Sequence, residues 1–334
     1  MKICSILSTR GSNTKVYSDL IYEWEDDYSR ELNVSIKTHS HNVVRIYSLF
    51  YLICQKLHIT SIIQRIDKIF STRNKILVFT LYPEKRFSYR SSANKIPFII
   101  DFDHGVNLYN FYEVYKNCEM VIISSRVAYE YLLKKNCPLN IKHVPLSIKS
   151  DLTPHRIDSK NRKYDIFIAR QNPVLMEYLK KYEAHHPEVH YIVRKWEDNK
   201  LYSCNAYYSN KEGRLGEFSD RGEYFKLLCN SKVAFYSTTG SDMTNSRFMN
   251  HVTPALLEYI TAGCRVIMRW YDTPDSEFFS LSKYFVNAVS YDKFEKLLNK
   301  YLHDETNPFD QCDEYLAKYG FSSQIKIFNE QLGL

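Results

Sequence analysis

Short apolar segments alternate with stretches of helical periodicity along most of the chain. In the first half, the apolar runs have the length of strands, and each ends at a polar residue or at a Gly or Pro turn. They lie at residues 2–7, 75–80, 97–102, 120–124 and 141–144. Between the last two, Val127, Tyr129, Leu132 and Leu133 fall on one face of a predicted helix at 126–135. This alternation is typical of a parallel α/β sheet.

A polar segment at residues 146–163 interrupts the pattern. It contains Pro154 and four Lys or Arg residues between Arg156 and Lys163 and has no apolar periodicity, so it is predicted to hold the linker between two domains. The pattern then restarts, with strands predicted at 164–169, 190–193, 232–236 and 265–268, and helices at 174–182, 224–229, 253–262, 292–302 and 322–332. Residues 196–222 are polar and aromatic and are predicted to form a long loop. The chain is therefore predicted to contain two successive Rossmann-like α/β units.

Composition limits the class of protein. Of the 334 residues, 44% are hydrophobic and 25% are charged, as in an ordinary globular protein. A chain of this length can bury a full core without disulfides or metals. The eight Cys are scattered singly, as reduced thiols in a cytoplasm are, and the first apolar run is too short for a signal peptide. The net charge of +7 fits an anionic substrate or an anionic membrane surface. No RNP, zinc-finger or basic-zipper pattern occurs, so a nucleic-acid partner is not expected.

An apolar segment at residues 43–54 has two interpretations. It contains Arg45, and four further basic residues follow it up to Arg73. The segment is too short to span a bilayer. One interpretation is a core helix, and the other is a basic, aromatic helix that touches the inner face of the membrane.

The most informative stretch is residues 253–268. A helix is predicted to begin near Pro254, to carry the carboxylate of Glu258, to end at Gly263 and to lead directly into an apolar strand. In doubly wound sheets, ligands bind at the carboxyl ends of strands and against helix N-termini. A helix start at Thr253 and Pro254 would face a diphosphate, and Glu258 could accept both ribose hydroxyls. The alternative is a plain amphipathic helix with an exposed Glu.

This stretch resembles the donor-binding motif of group 1 glycosyltransferases of the GT-B fold. Glu258 matches the second Glu of that family's paired-Glu motif, and Asn250 stands where the first Glu would be. In this respect the chain is similar to divergent bacterial members of the spore-maturation and surface-polysaccharide type. The resemblance implies two Rossmann-like domains that face each other across a cleft. They are placed at residues 1–150 and 164–310, joined by a linker at 151–163, with a helical segment at 311–334 that packs back on the first domain.

The resemblance also implies site residues outside this stretch. Arg170, directly after a strand, would contact the donor phosphates, although a strand-end Arg can equally be a surface charge. A loop after the strand at 232–236 would surround the nucleotide. The full donor-binding set is then Arg170, Thr238, Gly240, Arg247, Asn250, Thr253, Pro254 and Glu258.

The base is expected in the first half of the chain. Asp103 and His104 follow a strand and are the candidates for deprotonating an acceptor hydroxyl. A purely structural turn at Asp103 is the alternative, and Arg247 has an alternative as a helix cap. No Asp-x-Asp metal signature occurs, so Arg, Lys and helix ends are expected to balance the diphosphate without a metal or another cofactor.

The expected activity is transfer of a sugar from a nucleotide-sugar donor to a hydroxyl of a growing, lipid-linked bacterial surface glycan. The expected location is cytoplasmic, at the inner face of the membrane. Two alternatives stay open: a polyol-phosphate or sugar-phosphate transferase on the same fold, and a non-catalytic sugar-nucleotide-binding assembly subunit, which Asn250 favours.

Overall fold

The computed structural model describes residues 2–10, 17–38, 74–152, 157–198, 203–217, 221–244, 246–304, 306–307 and 309–334, with a few isolated positions between 46 and 65. The apolar and basic segment at 43–73 therefore lies largely outside the described residues. The chain divides into two compact units. The first comprises Met1–Ser150, Arg247–Met249 and Phe321–Leu334, and the second comprises Asp151–Ser246 and Asn250–Gly320.

The elements follow one another in the order of an α/β protein. The strands are β1 (Lys2–Ser8), β2 (Ser35–Thr38), β3 (Asn74–Thr80), β4 (Lys95–Ile99), β5 (Val121–Ile123), β6 (Ile141–His143), β7 (Tyr164–Ile168), β8 (Tyr191–Asp198), β9 (Ser203–Ser209), β10 (Gly213–Glu217), β11 (Ser231–Ser237) and β12 (Arg265–Arg269). The helices are α1 (Tyr17–Glu31), α2 (Leu108–Tyr115), α3 (Arg126–Lys134), α4 (Pro173–His185), α5 (Arg221–Cys229), α6 (Ala255–Thr261), α7 (Pro274–Phe278), α8 (Leu281–Tyr284), α9 (Tyr291–Leu302), α10 (Phe309–Tyr319) and α11 (Phe321–Leu332).

In the first unit, the described strands form a parallel sheet in the order β2-β1-β3-β4-β5-β6. Its core is built around Tyr28 of α1, whose buried ring lies edge-on to Phe79 and Phe98 of the sheet. The last helix, α11, adds Phe321 and Phe328 to the same ring cluster. The last 14 residues of the chain are therefore part of the first unit, Phe321–Leu334, because their apolar face completes this core.

In the second unit, the order is β10-β9-β8-β7-β11-β12. The four strands β8, β7, β11 and β12 are parallel, and β9 and β10 are added antiparallel at the edge. One face of the sheet packs Ile166, Val233 and Ile267 against α4 and α9. The other face carries the aromatic side chains described below. The predicted fold class, two Rossmann-like α/β units, is confirmed by this topology.

The predicted loop at 196–222 is wrong. These residues complete β8 and form β9 and β10, and α5 begins at Arg221. Antiparallel edge strands expose one face, so they carry polar residues and lack the continuous apolar run of a buried parallel strand. The strand predicted at 97–102 is also shifted, because β4 begins at Lys95, whose backbone pairs with Ile76.

The division into units can be compared with the predicted boundaries. The first unit ends at Ser150, inside the segment predicted to contain the linker. Leu146 and Ile148 are buried, and Trp24 of α1 donates to the Ser147 carbonyl at 2.7 Å. The helical segment predicted at 311–334 contains two helices of different units, because α10 lies in the second unit and α11 in the first.

Candidate functional site

The topology of the second unit places a site at one edge of its sheet. From β7 the chain moves outward to β8 on one side, and it later returns to add β11 on the other side. Ligands of doubly wound sheets bind at such a reversal of strand order, outside the carboxyl ends of the strands. Arg170 follows β7, and Thr238 follows β11. The reversal therefore brings two of the predicted donor-binding residues to the same edge.

Glu258 points inward from α6. Its side chain is almost completely buried, with 4% of the residue exposed. One carboxylate oxygen, Oε1, accepts from Arg221 Nη2 at 2.5 Å, and the other, Oε2, accepts from the Tyr224 hydroxyl at 2.9 Å. Both partners come from α5. The alternative of an exposed helical Glu is therefore wrong, and α5 and α6 hold this carboxylate in one orientation.

The start of α6 is fixed by a buried phenol. The Tyr236 hydroxyl of β11 accepts from the Thr253 backbone N–H at 2.8 Å, and it lies 3.3 Å from Thr253 Oγ1. No side chain caps Pro254, the residue before the helix. The helix start was predicted to face the donor diphosphate, and in this structure its Thr253 N–H already donates to Tyr236.

Aromatic rings surround Glu258 on this face of the sheet. Phe167 of β7 lies near Tyr207, Tyr224 and Tyr259, with ring centroids 5.8–6.0 Å apart. Tyr236 in turn lies 6.2 Å from Tyr259. Burial raises the pKa of the Tyr207 and Tyr236 phenols, so these hydroxyls stay protonated and can donate hydrogen bonds.

A buried polar loop follows β11. Thr238 and Gly240 lie in it, and Gly240 has a φ of +82°, a conformation that side chains disfavour. Thr238 Oγ1 lies 2.5 Å from Ser241 Oγ, and Ser241 Oγ donates to Asn250 Oδ1 at 3.2 Å. Three predicted donor-binding residues, Thr238, Gly240 and Asn250, are thus brought together by this loop.

An ion pair fastens the end of this loop. Asp242 accepts from Arg269 Nε at 2.9 Å and from Arg269 Nη2 at 2.5 Å. The hydrogen bonds from Arg269 hold the pKa of Asp242 below its usual value. Asn172, the buried cap of α4, donates to Asp242 Oδ2 and to the Ser241 carbonyl, both at 3.0 Å. The three side chains tie the loops after β7 and β11 together.

Sequence reasoning missed these three residues. The pair Asn172 and Pro173 is a recognisable helix-start signal. Nothing in the sequence, however, links Asp242 to Arg269, which is 27 residues away.

Arg170 is exposed at the end of β7. Within the part of the chain that the structure describes, no carboxylate pairs with its guanidinium. Its charge lowers the pKa of the Tyr236 phenol against the larger effect of burial, and the hydroxyl of Tyr236 contacts Thr253 at the start of α6. A cation in this position is free to contact an anion.

Asp103, His104 and Arg247 lie together in the first unit. Asp103 Oδ1 accepts from the Gly105 N–H at 2.8 Å, and Asp103 Oδ2 lies 3.4 Å from Arg247 Nε. The His104 N–H donates to the Arg247 carbonyl at 2.9 Å. Arg247 was predicted as a donor-binding residue with Thr238 and Gly240, but the structure groups it with the base candidates.

The first unit also buries a carboxylate that the sequence did not reveal. Glu25 of α1 is 1% exposed and accepts from Ser8 Oγ at 2.5 Å and from Arg10 Nε at 3.1 Å. Burial raises the pKa of Glu25 to about 7, although the bonds from Ser8 and Arg10 act in the opposite direction.

Metal-ligating residues are not clustered in the described ranges, where no group of three or more His, Cys, Asp or Glu side chains could hold an ion. The helices among those residues include none that is long and apolar enough to cross a membrane.

Comparison with known proteins gave matches only among solved structures. No protein-family model matches the chain, and no curated protein is similar to it in sequence. The apo form of a lipopolysaccharide outer core galactosyltransferase is similar over 99% of both chains, at 14% identity and a TM-score of 0.46. A Burkholderia xenovorans UDP-forming α,α-trehalose-phosphate synthase, in complex with glucose 6-phosphate, matches 97% of this chain and 84% of its own, at 10% identity and a TM-score of 0.49. A Medicago truncatula protein complexed with UDP-glucose matches 99% of this chain and 91% of its own, at 8% identity and a TM-score of 0.36.

Proposed function

We propose that the chain is a glycosyltransferase that moves a sugar from a nucleotide-diphosphate donor to a hydroxyl of a growing glycan. The observation that carries this proposal is the inward-facing carboxylate of Glu258 on α6 in the second unit. Its burial and its two fixed partners give it the single orientation that recognition of a ribose requires.

The carboxylate of Glu258 retains capacity for a ligand. An ionised carboxylate offers about four lone-pair sites, and Arg221 and Tyr224 use one site on each oxygen. Two sites are left for the two ribose hydroxyls. Arg221 balances the charge of the buried carboxylate.

The donor diphosphate would lie at the reversal of strand order. Arg170 supplies a cation at the end of β7, and the loop through Thr238 and Gly240 supplies small residues at the end of β11. Negative charge builds up on the leaving diphosphate as the glycosidic bond breaks, so groups fixed in advance at this edge would stabilise the transition state. We propose that this occurs without a metal ion.

The acceptor hydroxyl needs a base if the reaction inverts the anomeric carbon, and a retaining reaction needs none. Of the two candidates, the geometry favours His104. The Asp103 carboxylate already holds the Gly105 N–H and Arg247, whereas the His104 side chain is exposed, with its ring edge-on to Tyr131 at 5.7 Å.

A lipid-linked acceptor at a membrane surface is the finer part of the proposal. It is supported by the described apolar side chains between residues 46 and 57, each of which is about half exposed or more: Ile46, Leu49, Phe50, Ile53 and Leu57. The basic residue Lys56 lies among these side chains, and Arg65 follows them in the chain. Apolar groups flanked by cations suit the interface of an anionic bilayer.

The experiment that tests the proposal measures hydrolysis of UDP-, GDP-, CMP- and dTDP-sugars, together with calorimetric titration of the free nucleotides. Slow hydrolysis of one donor class and binding of its nucleotide support a glycosyltransferase. Binding without hydrolysis or transfer would favour the assembly subunit. Turnover that releases a sugar phosphate and a nucleoside monophosphate would favour the phosphate-transferring alternative. Co-sedimentation with phosphatidylglycerol vesicles tests the membrane part: Phe50→Ser should reduce it, and Leu133→Ser, at an exposed position of α3, should not.

A further inference from the structure

The antiparallel ribbon of β8 and β9 is the least expected part of the second unit. In place of a helix that returns to a further parallel strand, the next strand along the chain, β9, pairs antiparallel with β8. Val193 of β8 lies opposite Ile168, the last residue of β7, so residues from Arg194 onward extend past the end of the neighbouring strand. The ribbon therefore projects from the carboxyl edge, where ligands bind.

One face of this ribbon carries a cation and two aromatic rings. Side chains alternate along a strand, so Ile192, Arg194 and Trp196 share a face. Ile192 is buried, Arg194 is partly buried and Trp196 is 64% exposed. On β9, Tyr207 stands directly opposite Arg194. Along this face, the side chains therefore run from the buried Ile192 to the exposed ring of Trp196.

Arg194 is held in place but its charge is not neutralised. Its guanidinium lies near enough to the Tyr207 phenol to lower the pKa of that phenol against the effect of burial, and its backbone carbonyl accepts from Gln171 Nε2 at 2.8 Å. Among the described residues, no carboxylate pairs with it. Tyr207 in turn stacks on Phe167 at 5.8 Å and lies within electrostatic range of Glu258. Arg194 is therefore a fixed donor group beside the carboxylate to which the ribose is assigned.

We propose that Arg194 and Trp196 form the nucleobase subsite of the donor and that it selects bases with a keto oxygen, and not an amino group, at C4 of a pyrimidine or C6 of a purine. This inference rests on the proposed function. A nucleotide with its phosphates at the β7–β11 reversal and its ribose on Glu258 continues along the sheet toward β8 and β9, because these strands follow β7 in the sheet order. The base then reaches the ribbon.

Arg194 and Trp196 differ in chemistry, so one can determine which base is preferred and the other how tightly any base binds. A guanidinium has only donors, so it pairs with O4 of uracil or thymine or with O6 of guanine, and not with the amino group that cytosine or adenine carries at the same position. Trp196 offers a ring face, on which every base can stack. Arg194 should therefore set which base is preferred, and Trp196 should strengthen binding of all bases alike.

The test is calorimetric titration of the full chain with UDP, CDP, GDP, ADP and inorganic pyrophosphate. The better of the two keto nucleotides should bind at least about tenfold more tightly than its amino counterpart. Arg194→Ala should reduce this ratio to about threefold or less and leave pyrophosphate binding unchanged. Trp196→Ala should weaken all four nucleotides by a similar factor and keep the ratio.

Two further variants control for damage to the ribbon. Lys195→Ala changes the opposite face, where the Lys195 ammonium lies 4.8 Å from the Tyr208 ring, and it should alter neither affinity nor ratio. Tyr207→Phe keeps the stacking on Phe167 and removes only the hydroxyl near the Arg194 guanidinium, so it should lower the ratio in part.

The outcomes separate the two proposals. A preference for CDP or ADP, or a ratio that Arg194→Ala does not change, overturns the base subsite while nucleotide binding still supports the transferase. An equal loss for all nucleotides and for pyrophosphate in Arg194→Ala would make Arg194 a phosphate contact and also overturn the subsite. If the wild-type chain binds none of the four nucleotides, the proposed function itself fails.

Discussion

The Glu258 carboxylate and the Arg221 guanidinium approach within 2.5 Å, and with side chains only 6% and 19% exposed they are largely shielded from water. Such a pair is costly to break from one side, because the remaining charge stays buried without its partner. The contact joins α5 to α6, so the same carboxylate that is assigned to the ribose also contributes to folding. Substitutions of Glu258 must therefore be followed by both binding and stability.

We predict that Glu258→Gln weakens binding of the donor nucleotide by about ten- to a hundredfold, since Gln loses the charge and one acceptor. The same substitution should lower the free energy of unfolding by roughly 1–3 kcal/mol because Arg221 loses its anionic partner. Calorimetry and urea unfolding measure the two effects. In a double-mutant cycle with Arg221→Gln, the two stability losses should not add. Unchanged nucleotide affinity would remove Glu258 from the site.

We predict that His104→Ala lowers kcat by roughly 10²–10⁴-fold if the reaction inverts, with donor affinity nearly unchanged, because a base acts mainly in the transition state. Asp103→Ala should lower kcat as well, but it should also lower stability by about 1 kcal/mol because the turn at Gly105 loses its acceptor. Steady-state kinetics and thermal unfolding of both variants distinguish the two roles. Near-wild-type kcat in both variants would exclude both residues as the base.

We predict that Glu25 makes the stability of the chain depend on pH. Its pKa is raised from 4.5 to about 7 on folding, so the folded chain binds the extra proton between these values. Stability should therefore fall as the pH rises from about 4.5 to about 7. Between pH 5 and pH 8, the free energy of unfolding of the wild-type chain should fall by roughly 2–3 kcal/mol because of Glu25. Glu25→Gln should abolish this fall. Urea unfolding at both pH values measures it, and Asp26→Asn, at the half-exposed partner of Arg10, is the control.

We predict that Gly263→Ala is far more destabilising than Gly213→Ala. Both glycines have positive φ, +71° and +76°, so each substitution costs about 1 kcal/mol of backbone strain. At Gly263 an added Cβ would also lie 2.6 Å from Phe309 Cζ and 2.7 Å from Arg162 Nη2, whereas at Gly213 nothing lies within 4 Å. Gly263→Ala should therefore lower the free energy of unfolding by roughly 3–4 kcal/mol in total. Equal unfolding midpoints for the two variants would contradict the packing at the end of α6.

We predict that turnover persists in EDTA. The proposed balance of the diphosphate charge uses Arg170 and backbone groups, and it includes no metal ion. Activity is measured after chelation and again after Mn²⁺ or Mg²⁺ is added back. Complete loss in EDTA with recovery on adding either ion would show that a metal takes part.

Much of the fold could be predicted because most of the parallel strands are buried on both faces, whereas the exposed edge strand β2 was not predicted. Strands buried on both faces appear as continuous apolar runs, and the runs leading to β1, β3, β7, β11 and β12 were placed within one or two residues of their observed bounds. The helix and strand around Gly263 were equally recognisable, since a left-handed residue at a helix end selects glycine. The edge strands β9 and β10 were missed because one exposed face removes that signal.

By itself, the sequence determined the α/β class, the break between the units, and the identity of Glu258 as the residue of interest. Only the tertiary structure decided what surrounds that residue. Arg221 of α5 donates to Glu258, and Arg194 of β8 lies near Tyr207, on which the charge of Glu258 also acts. Arg247 lies instead beside Asp103 in the first unit. Local patterns reflect burial and backbone geometry, which neighbouring residues share. Contacts between side chains 37 positions apart, as in Arg221 and Glu258, depend on how the strands are ordered in the sheet, and no local pattern encodes that order.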